Sequence, residues 1–202
     1  MRRPIATVIA TAAVAVLTVA GCAADGAGRV ISGLRSDPPR SVAGLDLPDV
    51  AEGNADFEFV APPGGFLIVY FGYTTCPDVC PTTMYEVSKA LRQLGERADA
   101  VRVAMITIDP ERDTAESFPG YVRGFIADGH ALRTDEDAEL RAVADAFGAD
   151  YSVTPVPGGQ PEVSHTPMLY LVDDTGDLVL TWPFGLTGDT IAADLEILLE
   201  AS

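Results

Sequence analysis

Cys76 and Cys80 stand four positions apart in Phe66-Leu-Ile-Val-Tyr-Phe-Gly72-Tyr-Thr-Thr-Cys76-Pro-Asp-Val-Cys80, and the 202 residues hold one other cysteine, Cys22. On a helix such a pair falls on one face, so both sulfurs can converge on one atom. Two thiolates make a soft donor set that suits Cu(I). A helix N-terminus also favours a thiolate at Cys76, so a redox pair is the competing reading. Dithiol exchange normally uses two intervening residues. The three found here lean towards metal without forbidding a disulfide. A purely structural disulfide fits less well, because so short a loop constrains the unfolded chain little.

Two thiolates rarely complete a metal site, and the chain has two histidines. His130 follows Asp128-Gly129 in a turn-like stretch and reads as a solvated loop histidine. His165 precedes Thr166-Pro167 and a strand-like run, at the lip of a sheet. A cysteine pair at a strand-to-helix turn resembles the thioredoxin-like arrangement, in which an X-Pro bond at this point is expected to be cis and to lie against the redox helix, bringing His165 beside the cysteines. Asp78 between the cysteines either tunes a thiol or complements the helix start. Met84 is a soft donor one turn beyond Cys80, but core packing is the expected role. Asp109, Arg112 and Asp113 read as a turn and helix cap, with Arg112 available for a buried ion pair. Trp182 and Phe184 read as core or rim aromatics.

These residues need elements to hold them. The apolar run from Gly65 to Phe71 has the character of a strand buried on both faces. Pro77 suits the first turn of a helix whose apolar positions Met84, Val87, Ala90, Leu91 and Leu94 carry it to about Ala98. Val101 to Ile108 predicts a second buried strand. Asp113-Thr-Ala-Glu116 resembles a capping box for a helix towards Phe125, shortened or kinked at Pro119-Gly120. Ala131 to Arg133 reads as a short strand, and Asp135 to Phe147 as an amphipathic helix closed by Gly148. Thr154 to Glu162 reads as a loop. Thr166 to Asp173 and Leu178 to Trp182 form a terminal hairpin, and Asp189 to Leu199 the last helix. Before all of these, Val42 to Leu47 and Phe57 to Val60 predict an N-terminal hairpin. The fold expected is α/β: a thioredoxin-like mixed sheet flanked by helices, with an N-terminal β-hairpin extension. Its cysteines lie at the carboxyl end of the first central strand.

Residues 1–21 read as an export signal, with Arg2 and Arg3 ahead of an acid-free apolar stretch. Its end, Leu17-Thr-Val-Ala-Gly21-Cys22, resembles a bacterial lipobox, which makes Cys22 the expected lipidation site and first mature residue. Residues 22–40 are rich in Gly, Ala, Ser and charge and read as a flexible tether, and 41–202 as the folded domain. Together these predict a lipid-anchored protein on the extracytoplasmic face of the bacterial cell membrane. The full chain carries 13 basic and 30 acidic side chains, a net charge of −17. So acidic a domain repels nucleic acid, and none is expected as a partner.

Cys76-Pro-Asp-Val-Cys80-Pro-Thr, Thr107-Ile-Asp-Pro-Glu-Arg-Asp-Thr114 and the His165 segment leading into Leu169-Tyr-Leu-Val-Asp173 together resemble the SCO/SenC family, in order and from about Ser41 to the end. The resemblance implies a membrane-tethered, thioredoxin-like copper protein that assists assembly of the dinuclear copper centre of cytochrome c oxidase subunit II. It implies one copper per domain, as Cu(I) and also as Cu(II), held by Cys76, Cys80 and His165. Other copper carriers and thiol reductants are further partners it suggests. Many members have an acidic residue directly before the histidine, where this chain has Ser164. The alternative function is an extracytoplasmic thiol–disulfide oxidoreductase acting on the cysteines of a copper site or another exported protein. In it Cys76 attacks and Cys80 resolves. A peroxiredoxin-like peroxidase would need a Pro-x-x-x-Thr/Ser-x-x-Cys context that Cys76 lacks.

Overall fold

The computed structural model describes residues 30–202, so the signal and Cys22 lie outside it. Strand β4 (Phe66–Gly72) is wholly buried and sorts its side chains by simple alternation. Phe66, Ile68 and Tyr70 enter one core and Leu67, Val69 and Phe71 the other. Each fully buried aliphatic side chain contributes roughly 1.5–3 kcal/mol relative to exposure. That two-sided burial makes β4 the spine of the domain.

β4 runs parallel to β5 (Val101–Thr107), which is parallel to β6 (His130–Leu132). On its other side β4 is antiparallel to β9 (Met168–Val172), which forms a hairpin with β10 (Asp177–Pro183). β2 (Asp46–Asp49) and β3 (Ala55–Glu58) form the expected N-terminal hairpin and extend the sheet beyond β6. With β1 (Leu34–Ser41), the order is β1-β10-β9-β4-β5-β6-β2-β3. Helices α1 (Val79–Leu94), α2 (Phe118–Phe125) and α4 (Gly188–Leu199) pack on the Ile68 face, and α3 (Asp137–Phe147) on the Phe71 face. This is the expected mixed sheet flanked by helices.

The details that differ have physical causes. Residues 22–40 read as a tether, yet Leu34–Ser41 pairs with β10, its register shifted between Arg35 and Arg40 around the two prolines. Pro38 and Pro39 cannot donate to a ladder, which confines such a strand to an edge. Just before it, Ser32 and Gly33 donate backbone N–H groups to Asp194 of α4, which also accepts from Trp182 Nε1 at 2.8 Å. α1 begins two residues after Pro77, at Val79, and gives way to a 3₁₀ turn over 95–100. α2 begins only at Phe118, with Pro119 inside its first turn as a starter. The Pro- and Gly-rich loop turns out to join a second, two-stranded sheet, β7 (Tyr151–Thr154) and β8 (Glu162–His165).

Candidate metal and thiol site

The site lies where β4 ends and α1 begins. Gly72 closes the strand beside Cys80, and a Cβ there would stand 2.7 Å from the Tyr70 ring and 3.1 Å from the Cys80 sulfur. The absence of a side chain therefore lets helix and strand approach. Cys76 precedes α1, and its Sγ accepts the N–H of Cys80 at 3.3 Å, serving one of the unpaired donors of the helix's first turn. The Tyr73 carbonyl accepts the Cys76 N–H at 3.4 Å. Both cysteines are buried thiols, not joined in a disulfide.

Their environments push them apart. Burial opposes ionisation of Cys76, but the N–H of Cys80, the Cys80 thiol, the N–H of Asp78 and the Tyr73 hydroxyl outweigh it and hold its pKa below the ordinary value. Cys80 is fully enclosed, and burial pushes its thiol up to about 12 although the Tyr70 hydroxyl donates to its sulfur at 3.3 Å.

His165 ends β8 with its Nε2 3.8 Å from the Cys80 sulfur. Its Nδ1 lies 3.2 Å from the Thr166 carbonyl. A carbonyl only accepts, so Nδ1 carries the proton and Nε2 turns a lone pair towards the sulfur. Burial lowers the imidazole pKa, against a smaller opposing pull from that carbonyl, so the ring is neutral at pH 7. Tyr70 and Tyr73 set ring edges against it, both at 6.0 Å between centroids. Thus all three residues expected at the site converge. Among the described residues, however, no three His, Cys, Asp or Glu side chains already stand as a metal-binding cluster. Cys80 links the other two, its sulfur 3.8 Å from the His165 Nε2 and its N–H on the Cys76 sulfur. Their chemistry, two soft sulfurs and one neutral imidazole nitrogen, fits a soft monovalent ion.

Other expectations change. The Thr166–Pro167 bond is trans, the one cis bond among the described residues being Asp37–Pro38. His165 reaches the cysteines because β8 pairs with β7, with Tyr151 opposite His165. His130 is not a solvated loop residue. It opens β6 with Nδ1 2.7 Å from Asp49 and its ring 4.5 Å from Phe57. Burial opposes ionisation of Asp49, but bonds from His130 and the N–H groups of Ala51 and Ala131 hold its pKa low. Asp113 does not cap α2; its carboxylate is buried among donors from other segments. Met84 is core and Trp182 is buried, as expected, while Phe184 is exposed. Arg112 pairs with Asp109 and sits over the Tyr73 ring at 5.8 Å. Asp78 occupies the N-cap position of α1 without a side-chain cap bond.

Sequence reading passed over Tyr70 and Tyr73, which line the site. A tyrosine in an otherwise apolar buried strand was the available signal, because a buried hydroxyl must find a partner.

With this geometry in place, comparisons identify the class. The SCO1/SenC family model matches residues 53–200, and the chain belongs to that family. The chain is 31% identical to Bradyrhizobium japonicum ScoI, whose structure has copper bound; the match covers 78% of this chain and 99% of that one, with a TM-score of 0.67. Apo Sco1 from Thermus thermophilus superposes with a TM-score of 0.73 at 29% identity, over 86% of this chain and 99% of that one. The human mitochondrial SCO1 homolog is 34% identical over 121 residues, 57% of this chain and 39% of that protein. Matches to SCO2-like proteins of Rickettsia span little more than half of those proteins' lengths, 56% in that of Rickettsia prowazekii.

Proposed function

We propose that this chain is a copper carrier that takes one copper ion as cargo on Cys76, Cys80 and His165. It delivers that ion to the dinuclear copper centre of cytochrome c oxidase subunit II. The observation that carries this reading is the neutral His165 Nε2 facing the Cys80 sulfur at 3.8 Å, beside a Cys76 sulfur held on the first turn of α1. A pure dithiol exchanger has no need of an imidazole lone pair aimed at its buried sulfur. Family membership and the copper in Bradyrhizobium ScoI support the same cargo. When bound, copper uses the thiolate forms of both cysteines, and Tyr70 and Tyr73 with the packed ends of β4 and α1 limit water around them. Export, and acylation of Cys22, would hold the domain outside the cell membrane beside its recipient. No helix among the described residues is long and apolar enough to cross a membrane.

Copper titration of the reduced domain tests this. About one Cu(I) per domain is expected, with binding lost in Cys76→Ser and Cys80→Ser and weakened in His165→Ala. Wild-type affinity in His165→Ala would remove the third ligand from the assignment.

The unequal thiols favour a second reading, disulfide reduction. The Cys76 thiolate attacks one sulfur of a partner's disulfide, and the partner's other sulfur leaves as a thiolate. Cys80 then attacks the Cys76 sulfur, which frees the reduced partner and leaves a Cys76–Cys80 disulfide. A partner trapped on Cys76 by Cys80→Ser, with turnover indifferent to His165→Ala and to copper, would favour this chemistry over carriage.

A further inference from the structure

Asp113 is completely buried, although burying a carboxylate is costly unless donors surround it. Its oxygens receive the Thr74 N–H at 3.0 and 3.2 Å, the Thr74 hydroxyl at 2.5 Å and the Thr107 hydroxyl at 2.7 Å. Nothing in α2 needs this arrangement, since that helix begins five residues later. Both partners belong instead to the site end of the sheet. Thr107 is the last residue of β5, and Thr74 follows β4 two residues before Cys76. The turn that presents Asp113 is itself clamped from beyond β6, where Arg133 donates to the carbonyls of Pro110 and Asp113 at 3.0 and 2.9 Å. The carboxyl ends of all three parallel strands are therefore tied together through one buried side chain and its turn.

We propose that Asp113 is the positioning residue of the cysteine site: by bracketing Thr74 to Thr107 it fixes the loop that places the Cys76 sulfur against the N–H of Cys80. The path is short. Thr74 is held by Asp113, the adjacent Tyr73 carbonyl accepts the Cys76 N–H, and the Cys76 sulfur accepts the Cys80 N–H. Without the bracket, Thr74 loses its side-chain anchor, and the backbone of this turn rests on that weaker bond at 3.4 Å, beside the packing of Tyr73 and the bonds to the Cys76 sulfur itself. Two sulfurs then have to be gathered at binding instead of being found together. The inference takes from the proposed function only that copper binds at Cys76 and Cys80.

The test compares Asp113→Ala, Asp113→Asn and Thr74→Val with the wild-type protein in two arms. In the first, amide hydrogen exchange of the reduced, metal-free domain is followed over residues 74–80. Asp113→Ala is expected to speed exchange there by about tenfold or more, while β9 and α4 keep wild-type rates. In the second, Cu(I) affinity is measured by competition with a chelator at a temperature where each variant is folded. Asp113→Ala is expected to lose about 10–100-fold, the range for residues that orient metal ligands. Asp113→Asn still accepts the Thr74 N–H and can donate to hydroxyl lone pairs, so it should recover most of the loss. Thr74→Val should fall between the two. If Asp113→Ala fails to fold, Asp113→Asn and Thr74→Val decide the matter against wild type. Exchange and Cu(I) affinity within twofold of wild type in every folded variant would overturn the proposal, and so would Asp113→Asn being as defective as Asp113→Ala. A wild-type domain that binds no copper would overturn the carrier reading instead, and the exchange arm would still decide the bracket.

Discussion

Cys76 and Cys80 stand where a fully buried parallel strand feeds a helix, whereas His165 is carried by a short, two-stranded sheet outside the main one. β4 has no exposed residue, and α1 buries Cys80, Met84, Val87, Ala90 and Leu94 on one face. In β7 only Tyr151 is buried, and in β8 no residue is. Few apolar contacts mean a low free energy of local opening. The two thiols are therefore set by the fold as a whole. The imidazole sits on an arm whose position costs little to adjust. For the proposed copper carriage this division would be useful, since the arm could withdraw its imidazole while the sulfurs keep their places.

The largest expected effect sets the two regions side by side. Ile68→Ala removes a side chain that is fully enclosed between β4 and α1, and it should cost about 2–5 kcal/mol of global stability. Val163→Ala on β8 removes a half-buried side chain and should cost well under ~1 kcal/mol. Denaturant melts of the reduced domain measure both. Equal losses would make the arm as integral to the fold as the cysteine strand, and the comparison would fail.

Next in size is the contrast between the thiols. Cys76 lies below its ordinary pKa and Cys80 is raised to about 12, so near pH 9 Cys76 is the more ionised of the two and Cys80 is almost wholly thiol. Iodoacetamide at that pH should modify Cys76 at least about tenfold faster, since the thiolate is the nucleophile. Peptide mass mapping against time gives the ratio. Tyr70→Phe removes the hydroxyl that donates to Cys80 and should slow Cys80 further. Faster reaction at Cys80 would show that the buried sulfur is not held as described.

How far the chain could be read without coordinates depended on how local each feature is. The buried run of β4, the helical spacing after Cys80, the Gly148 cap and the β9–β10 turn are local patterns, and each lies where expected. β1 was hidden because an edge strand with two prolines and several charges has the composition of a linker. β7 and β8 were hidden by the prolines and glycines between them, which mark a turn but not its strands. The three residues that meet at the candidate site were legible from residue type, spacing and the resemblance. Asp113 followed by Glu116 looked like a local cap because its real partners, Thr74 after β4 and Thr107 at the end of β5, come from other segments. His130 finds its partner Asp49 81 positions away, and no local pattern announces such a pair. The cis bond expected at Thr166–Pro167 failed for a related reason: the β7–β8 pairing places His165 with a trans peptide.

The smallest effect tests the arm through its proton. Burial lowers the His165 pKa below its unfolded value near 6.5. Below that pH the unfolded chain binds a proton that the folded chain resists, so stability rises with pH through this window. The contribution is fully present above about pH 6.5 and is lost as pH falls towards the folded pKa. The ring is only partly enclosed, so solvent softens the effect. Denaturant midpoints between pH 7.5 and 5 should fall in the wild-type protein and fall less in His165→Ala, which lacks the group. The difference between the two curves isolates His165 from every titrating group the two proteins share. Parallel curves would mean that His165 is as free in the folded domain as in the unfolded chain. Its closeness to Cys80 would then owe nothing to a half-buried, neutral ring, and the arm would have to be drawn to the site by the metal alone.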